Sequence, residues 1–334
     1  MTLDRREFFK LTSLATTGLF FSKFDFLHAG LNSTEEAKNI LVTANGNEVR
    51  FSNLLSGESL VIHSTATGHD FFQPKANSQL VYVVPKYEKR ISILDLNLKK
   101  EVDLIKVHDK DFVFYGHIAF SADGTKFYSP QVNEEKSFGT VVVYDAKTNK
   151  PIDTIGKLQG GAHDTQFLSD NNTLVVTSSG LKNRTIRVEP SSINLFDVRT
   201  KKLIRKYHTD NPKQKMAHLR ILPNDEIVIL GSPVDNKDYG LIYSNLADSK
   251  NLVLTEWKIP SEVKEKLKSE FLSSSVNGKE LLATNPMGSN VIYFDIEKRE
   301  MIKVESSKEN GVVTFKNNFK LVNTNAHAKL IKFG

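Results

Sequence analysis

The sequence predicts an all-β protein assembled from repeated four-stranded antiparallel units, and three observations carry that prediction. Short runs of β-branched, aromatic and other apolar residues follow one another closely from residue 39 onward, among them 80–84, 141–144, 193–196 and 291–294. Turn residues punctuate them, as in Ala122-Asp123-Gly124, Pro223-Asn224-Asp225 and Asn277-Gly278. Aligned with itself, the chain returns a unit of about 45–55 residues, and its third strand ends on Asp95, Asp145, Asp197 and Asp295 in turn. Four antiparallel strands at this period describe a blade of a β-propeller. Seven is the best blade count from the repeats, with six and eight left open.

Taken in order, residues 1–29 read as an export signal. Arg5 and Arg6 stand ahead of Phe8 and Lys10, a pattern that resembles the twin-arginine motif, with Asp4 where Ser or Thr is usual. The apolar stretch 11–21 contains Thr12, Ser13, Thr16 and Thr17. It is also shorter than the roughly 20 residues that a membrane-spanning helix needs. Cleavage is expected after Ala29, and an uncleaved signal would anchor the protein through this segment alone. An ordinary amphipathic N-terminal helix is the competing reading. The expected location is the periplasm, and residues 30–334 are the expected β-propeller domain. Within it, innermost strands are expected to begin near residues 69, 117, 163, 218, 270 and 312. Three strands between Ile40 and Ile62 supply a seventh blade, closed by pairing N- and C-terminal strands. A helix over 261–268, capped by Ser261 after Pro260, reads as a loop insertion.

Composition removes several function classes. The 334 residues carry a formal charge of +6, with a mean hydropathy of −0.32. Lysines alternate with acids, as in Lys99-Lys100-Glu101 and Lys264-Glu265-Lys266. That alternation is a solvated surface rather than a stripe that tracks phosphates, so nucleic acid is not an expected partner. The chain has no cysteine, which excludes disulfides, thiolate metal sites and thiol nucleophiles. It has no Gly-x-Ser-x-Gly elbow, Walker loop, His-Glu-x-x-His or dinucleotide fingerprint.

The most informative feature is a recurring histidine. His69, His117, His163 and His218 each open the first strand of successive repeats, at intervals of 48, 46 and 55 residues. First strands surround a propeller's central channel, so the four side chains are expected to converge at one mouth of it. In WD-type propellers a Gly-His pair holds a structural histidine, which is the plain alternative. Here Gly116-His117 runs directly into Phe120-Ser121-Ala122-Asp123-Gly124, without the gap of those repeats, and no Trp-Asp dipeptide ends a blade. Imidazoles without thiolates suit zinc, copper, iron or nickel. Asp70 and Asp164 follow two of the histidines, and strand alternation turns each away from its neighbour, toward supporting roles. Arg220 shares a face with His218 and offers instead a site for an anion or carboxylate. Glu270 stands near the equivalent place in a later repeat that lacks the histidine. His63, His108, His208 and His327 fall off this register and read as surface or turn residues. Met216 reads as packing.

Tyr115-Gly116-His117 with Phe120-Ser121, Gly161-Ala162-His163-Asp164, Leu174–Gly180 and Ala217-His218-Leu219-Arg220 resemble the bacterial domain-of-unknown-function family 1513. The likeness extends over nearly the whole chain, including the twin-arginine start. His69, His117, His163 and His218 match the family's histidine positions, while Ala162 and Asp164 depart from its usual Pro and Glu. The resemblance implies a periplasmic propeller, often encoded beside imelysin-type and di-haem-peroxidase-like proteins in iron-responsive clusters. It therefore tilts the metal toward iron, or copper acting with iron uptake, with other periplasmic iron-uptake proteins as partners.

Three functions fit these residues. One is a metal-binding propeller for iron acquisition or handling. Another is a lactonase-like hydrolase with a channel metal as Lewis acid. The third is an interaction scaffold with structural histidines. Calcium-dependent lactonase propellers use Glu, Asn and Asp at strand starts, so four histidines there favour a transition metal.

Overall fold

The computed structural model describes residues 39–332 apart from 75–76, 183–185, 236–237, 246–251 and 268. The expected signal segment, with Arg5 and Arg6, lies outside the described residues. No helix among the described residues is long and apolar enough to cross a membrane.

The fold is an all-β propeller with six four-stranded blades, not the expected seven. Blade 1 comprises Asp70–Phe72, Leu80–Val84, Arg90–Asp95 and Lys100–Lys106. Blade 2 comprises Ala119–Phe120, Lys126–Asn133, Phe138–Asp145 and Pro151–Gln159, and its sheet is widened by Val113–Tyr115 and Lys86–Glu88. Blade 3 comprises Ala162–Phe167, Thr173–Ser178, Ser192–Asp197 and Leu203–His208. Blade 4 comprises Gln214–Ile221, Ile227–Pro233, Ile242–Ser244 and Thr255–Glu256. Blade 5 comprises Ser274–Asn277, Glu280–Asn285, Asn290–Asp295 and Glu300–Ser306. Blade 6 closes the ring. Its innermost strand, Lys329–Lys332, pairs antiparallel with Asn39–Asn45, followed outward by Glu48–Asn53 and Ser59–His63.

Between blades 5 and 6 stands only a hairpin, Gly311–Phe315 with Asn318–Val322. The last described strand, Lys329–Lys332, pairs with Asn39–Asn45 in blade 6 and not with this hairpin, which therefore keeps two strands among the described residues.

Apolar clusters lie between neighbouring sheets and hold the ring. Phe71, Val81 and Val83 of blade 1 pack with Val42, Val49 and Phe51 of blade 6. Phe114, Phe127 and Tyr144 of blade 2 pack with Ile91 and Ile93 of blade 1. The largest cluster joins blades 3, 4 and 5 and contains the fully buried Trp257. The hairpin completes the circle. Val312 packs on Leu282 and Val291 of blade 5, while Val313 and Val322 pack on Leu41 of blade 6.

The Asp that ends each third strand has a geometric cause. The Asp95 Oδ1 accepts the backbone N–H groups of Asn97 and Leu98, and Asp145 and Asp197 do the same for the residues at equivalent positions. Four residues after each Asp the backbone turns left-handed, at Lys99, Asn149, Lys201 and Arg299. An aspartate that braces its own turn thus repeats with the blade.

The expected helix over 261–268 is a single turn, Ser261–Lys264, whose N-cap is Pro260 with no side-chain cap bond. It is held by burial of Val263 in the cluster of blades 3 to 5.

Candidate metal centre

Five histidines, not four, meet inside the ring. The rings of His69 and His117 lie 5.1 Å apart, His117 and His163 5.0 Å, and His163 and His218 4.9 Å, centre to centre. His327, expected to be a surface or turn residue off the register, joins them 4.6 Å from His218 and 5.0 Å from His117. It sits in the turn leading to the closing strand, and its backbone N–H donates to the His69 carbonyl at 2.8 Å. The remaining off-register histidines are elsewhere. His63 is exposed at the end of an outer strand, His108 pairs with Gln131, and His208 with Asp210.

Three of the five are buried, while His69 and His327 are half-buried. His117, His163 and His218 keep only 3%, 6% and 3% of their surface. Small residues precede all five: Gly68, Gly116, Ala162, Ala217 and Ala326. At Gly116 the need is plain, because φ is +109° and a Cβ there would lie 2.6 Å from His69 Cδ2.

Two β-irregularities help aim the side chains inward. The pairing of Ala162–Phe167 shifts register between Ala162 and Thr165, and that of Gln214–Ile221 between Met216 and His218. Strict alternation would turn Asp164 away from the channel, but across this bulge both His163 and Asp164 face it.

Hydrogen bonds fix two tautomers. His117 Nδ1–H donates to Asp70 Oδ2 at 2.9 Å, and His163 Nδ1–H donates to the Tyr115 carbonyl at 2.5 Å. Each leaves Nε2 as the donor atom for a ligand bond, the arrangement in which a carboxylate or carbonyl orients a metal-bound imidazole. Asp70 thus supports the histidine of the next blade. Asp164 stands 3.8 Å from the same His117 nitrogen and accepts the Leu219 N–H at 2.8 Å. Burial raises the Asp70 carboxyl, but Lys329 and the His117 hydrogen bond outweigh it and hold the group well below the usual carboxylate range.

Burial, then the neighbouring cations and rings, holds His69, His163 and His218 well below the ordinary imidazole value, and His327 down to about 3. These are neutral imidazoles. Nε2 of His69, His117 and His327 and Nδ1 of His218 are buried with no hydrogen-bond partner among the described residues. Each such orphan costs about 1–3 kcal/mol unless something binds it. The fifth, His163 Nε2, faces Lys86 Nζ at 3.4 Å.

The donor set could hold a metal ion. Two triads, His69-His117-His163 and His117-His218-His327, each keep their ligand nitrogens within 4.8 Å of one another. Nitrogens about 2.0–2.1 Å from one ion stand at most about 4 Å apart, so a closing movement below about 1 Å suffices. With Asp70 binding its Nδ1, His117 has one nitrogen left, so the two triads describe alternative or joint ligation of one ion.

Of the other two expected site residues, Glu270 lies away from the imidazoles and Arg220 shares a cavity wall with His117, His218 and His327. Glu270 accepts a hydrogen bond from the Ser232 hydroxyl at 3.0 Å. That contact joins blade 4 to the loop before blade 5, whose first strand begins at Ser274. Arg220 faces the channel, with Nη2 donating to the Ser274 carbonyl at 2.5 Å.

Against known proteins, the model of the family described as "Protein of unknown function (DUF1513)" matches residues 63–333. A search of curated proteins finds no match. Among solved structures, hydrazine synthase from Kuenenia stuttgartiensis is similar, with a TM-score of 0.60 and 13% identity over 84% of this chain and 90% of that one. At that identity the likeness is one of fold.

Proposed function

We propose, from the premise that this chain belongs to the DUF1513 family, that it is a metal-binding propeller that handles iron in the periplasm. The single observation that carries the metal is the set of buried imidazole nitrogens aimed at one another without partners. Neutral imidazoles favour a first-row transition ion over calcium or magnesium. Iron, rather than copper or zinc, rests on the family resemblance, and export rests on Arg5 and Arg6. A hydrolase has less support. Both carboxylates beside the cluster are occupied, Asp70 by His117 and Asp164 by the Leu219 N–H, so neither is poised as a general base.

The test is metal analysis of protein recovered from the periplasm, with calorimetric titration of Fe²⁺, Cu²⁺ and Zn²⁺ into metal-free wild type and the His117→Ala and His163→Ala variants. A chain carrying Lys at both Arg5 and Arg6 should be missing from the periplasmic fraction. One ion per wild-type chain is expected, with affinity lowered at least about tenfold in each alanine variant. Because these rings are buried, both variants should also melt lower, so stability alone decides nothing. A wild type that binds no ion, with variants that merely melt lower, would leave the histidines structural.

A further inference from the structure

Beside the imidazoles the channel opens into a cavity of about 330 Å³. That volume is at the lower end of the roughly 300–1,000 Å³ range of small-molecule sites. His117, His218 and His327 form part of its wall, and Arg220, Ser274 and Thr314 another part. Innermost strands of five blades and the hairpin contribute, so the cavity lies on the axis of the ring.

Its polar groups are not all satisfied. Arg220 spends Nη2 on the Ser274 carbonyl, yet its Nε is buried with no partner among the described residues. The Ser274 hydroxyl, on a residue only 4% exposed, is equally without one. Both residues line the cavity, so a buried guanidinium N–H and a buried hydroxyl, both donors, belong to its wall. Formal charges among the lining residues balance, with Asp70 and Asp164 against Arg220 and Lys329. Asp70 is already shared by His117 at 2.9 Å and Lys329 at 3.8 Å. A divalent ion on neutral imidazoles would add two positive charges that no further lining carboxylate offsets. In a buried site such an excess calls for an anion.

We propose that this cavity takes a small organic carboxylate that binds the metal held by the histidines and is gripped by Arg220 and Ser274. The inference rests on the metal reading above and extends it: the bound species is a metal–carboxylate pair, not a bare ion. A planar guanidinium is suited to a carboxylate through paired N–H donors.

The experiment uses Co²⁺-loaded protein, whose visible absorption reports the metal's ligands, titrated with acetate, succinate and inorganic phosphate. Acetate or succinate should change the spectrum of the wild type. Arg220→Gln should weaken that response by about tenfold or more, the loss expected for a charged hydrogen bond, while Co²⁺ affinity changes less than about threefold. Arg220→Lys, which keeps the charge but not the fork, should fall between, and it serves as the second variant should Arg220→Gln melt below the assay temperature. An unchanged response in both variants overturns the proposal, as does a wild type that responds to phosphate alone or to none of the three. If Co²⁺ itself fails to bind, the metal reading has failed. The cavity is then judged by calorimetry of succinate with metal-free protein, where binding lost in Arg220→Gln supports an anion site and no binding overturns it.

Discussion

His117 shows how much a single side chain can be asked to do. Its Nδ1–H is held by Asp70 of blade 1, and its ring lies 5.0–5.3 Å from those of His69, His163, His218 and His327. The residue before it matters as much. Gly116→Ala should force strain at φ +109° and drive a methyl to 2.6 Å from His69 Cδ2 and 3.0 Å from His163 Cε1. We expect stability to fall by about 1–3 kcal/mol and metal affinity by about 10–100-fold. Gly278→Ala is the control, since φ is +59° there and nothing lies within 4 Å; it should melt lower with metal affinity unchanged. Calorimetry on both variants checks this, and equal metal affinities would show that Gly116 does not shape the site. Four of the five imidazoles were legible because they recur with the blade. His327 was not, because the closing strand brings it into the ring from outside the repeat. A signal was present nonetheless: a small residue directly before the histidine occurs a fifth time at Ala326-His327, for the steric reason seen at Gly116.

At the scale of the element, the blade hairpins were readable and the blade count was not. An Asp that caps its own turn appears in one stretch of sequence, so its repetition marks the third strand each time. Whether a tail makes two strands or four depends on partners across the ring, which no local pattern carries. The same applies to the bulges at His163 and Ala217, which defeat simple alternation and bring Asp164 into the channel. Contacts between blades are likewise hidden in sequence. Arg299, in the left-handed turn of blade 5, pairs through Nε and Nη2 with both oxygens of Glu226 at 2.9 and 3.0 Å. Glu226 is 3% exposed. Arg299→Ala strands that carboxylate and should cost about 2–3 kcal/mol, read by urea unfolding. A loss below about 0.5 kcal/mol, the scale of ordinary surface substitutions, would show that the pair contributes nothing to the junction of blades 4 and 5.

The whole molecule pays for its centre by keeping several bases neutral. An unfolded histidine titrates near 6.5, whereas His69, His163, His218 and His327 in the fold stay unprotonated to lower pH. As pH falls below about 6.5, the unfolded chain takes up protons that the folded chain refuses, so stability must decline. The limit is about 1.4 kcal/mol per pH unit for each histidine. For His327 the decline continues down to about pH 3. Asp70 acts in the same direction at lower pH, because its carboxyl is also held below its ordinary range and its contribution is lost only there. Thermal melts of chelator-treated protein from pH 7 to pH 5 should therefore show a steady fall, shallower in His327→Gln. A flat profile would mean that the rings are protonated within the fold. The ring also imposes an order in time. Lys329–Lys332 is synthesised after every other described strand, yet it lies nearest the axis, paired with Asn39–Asn45. His327 enters with it. A chain still on the ribosome carries four imidazoles on an open arc, and the complete donor set exists only once the circle has shut. Assembly of all five rings is thus a record that the closing strand has docked and the circle is shut.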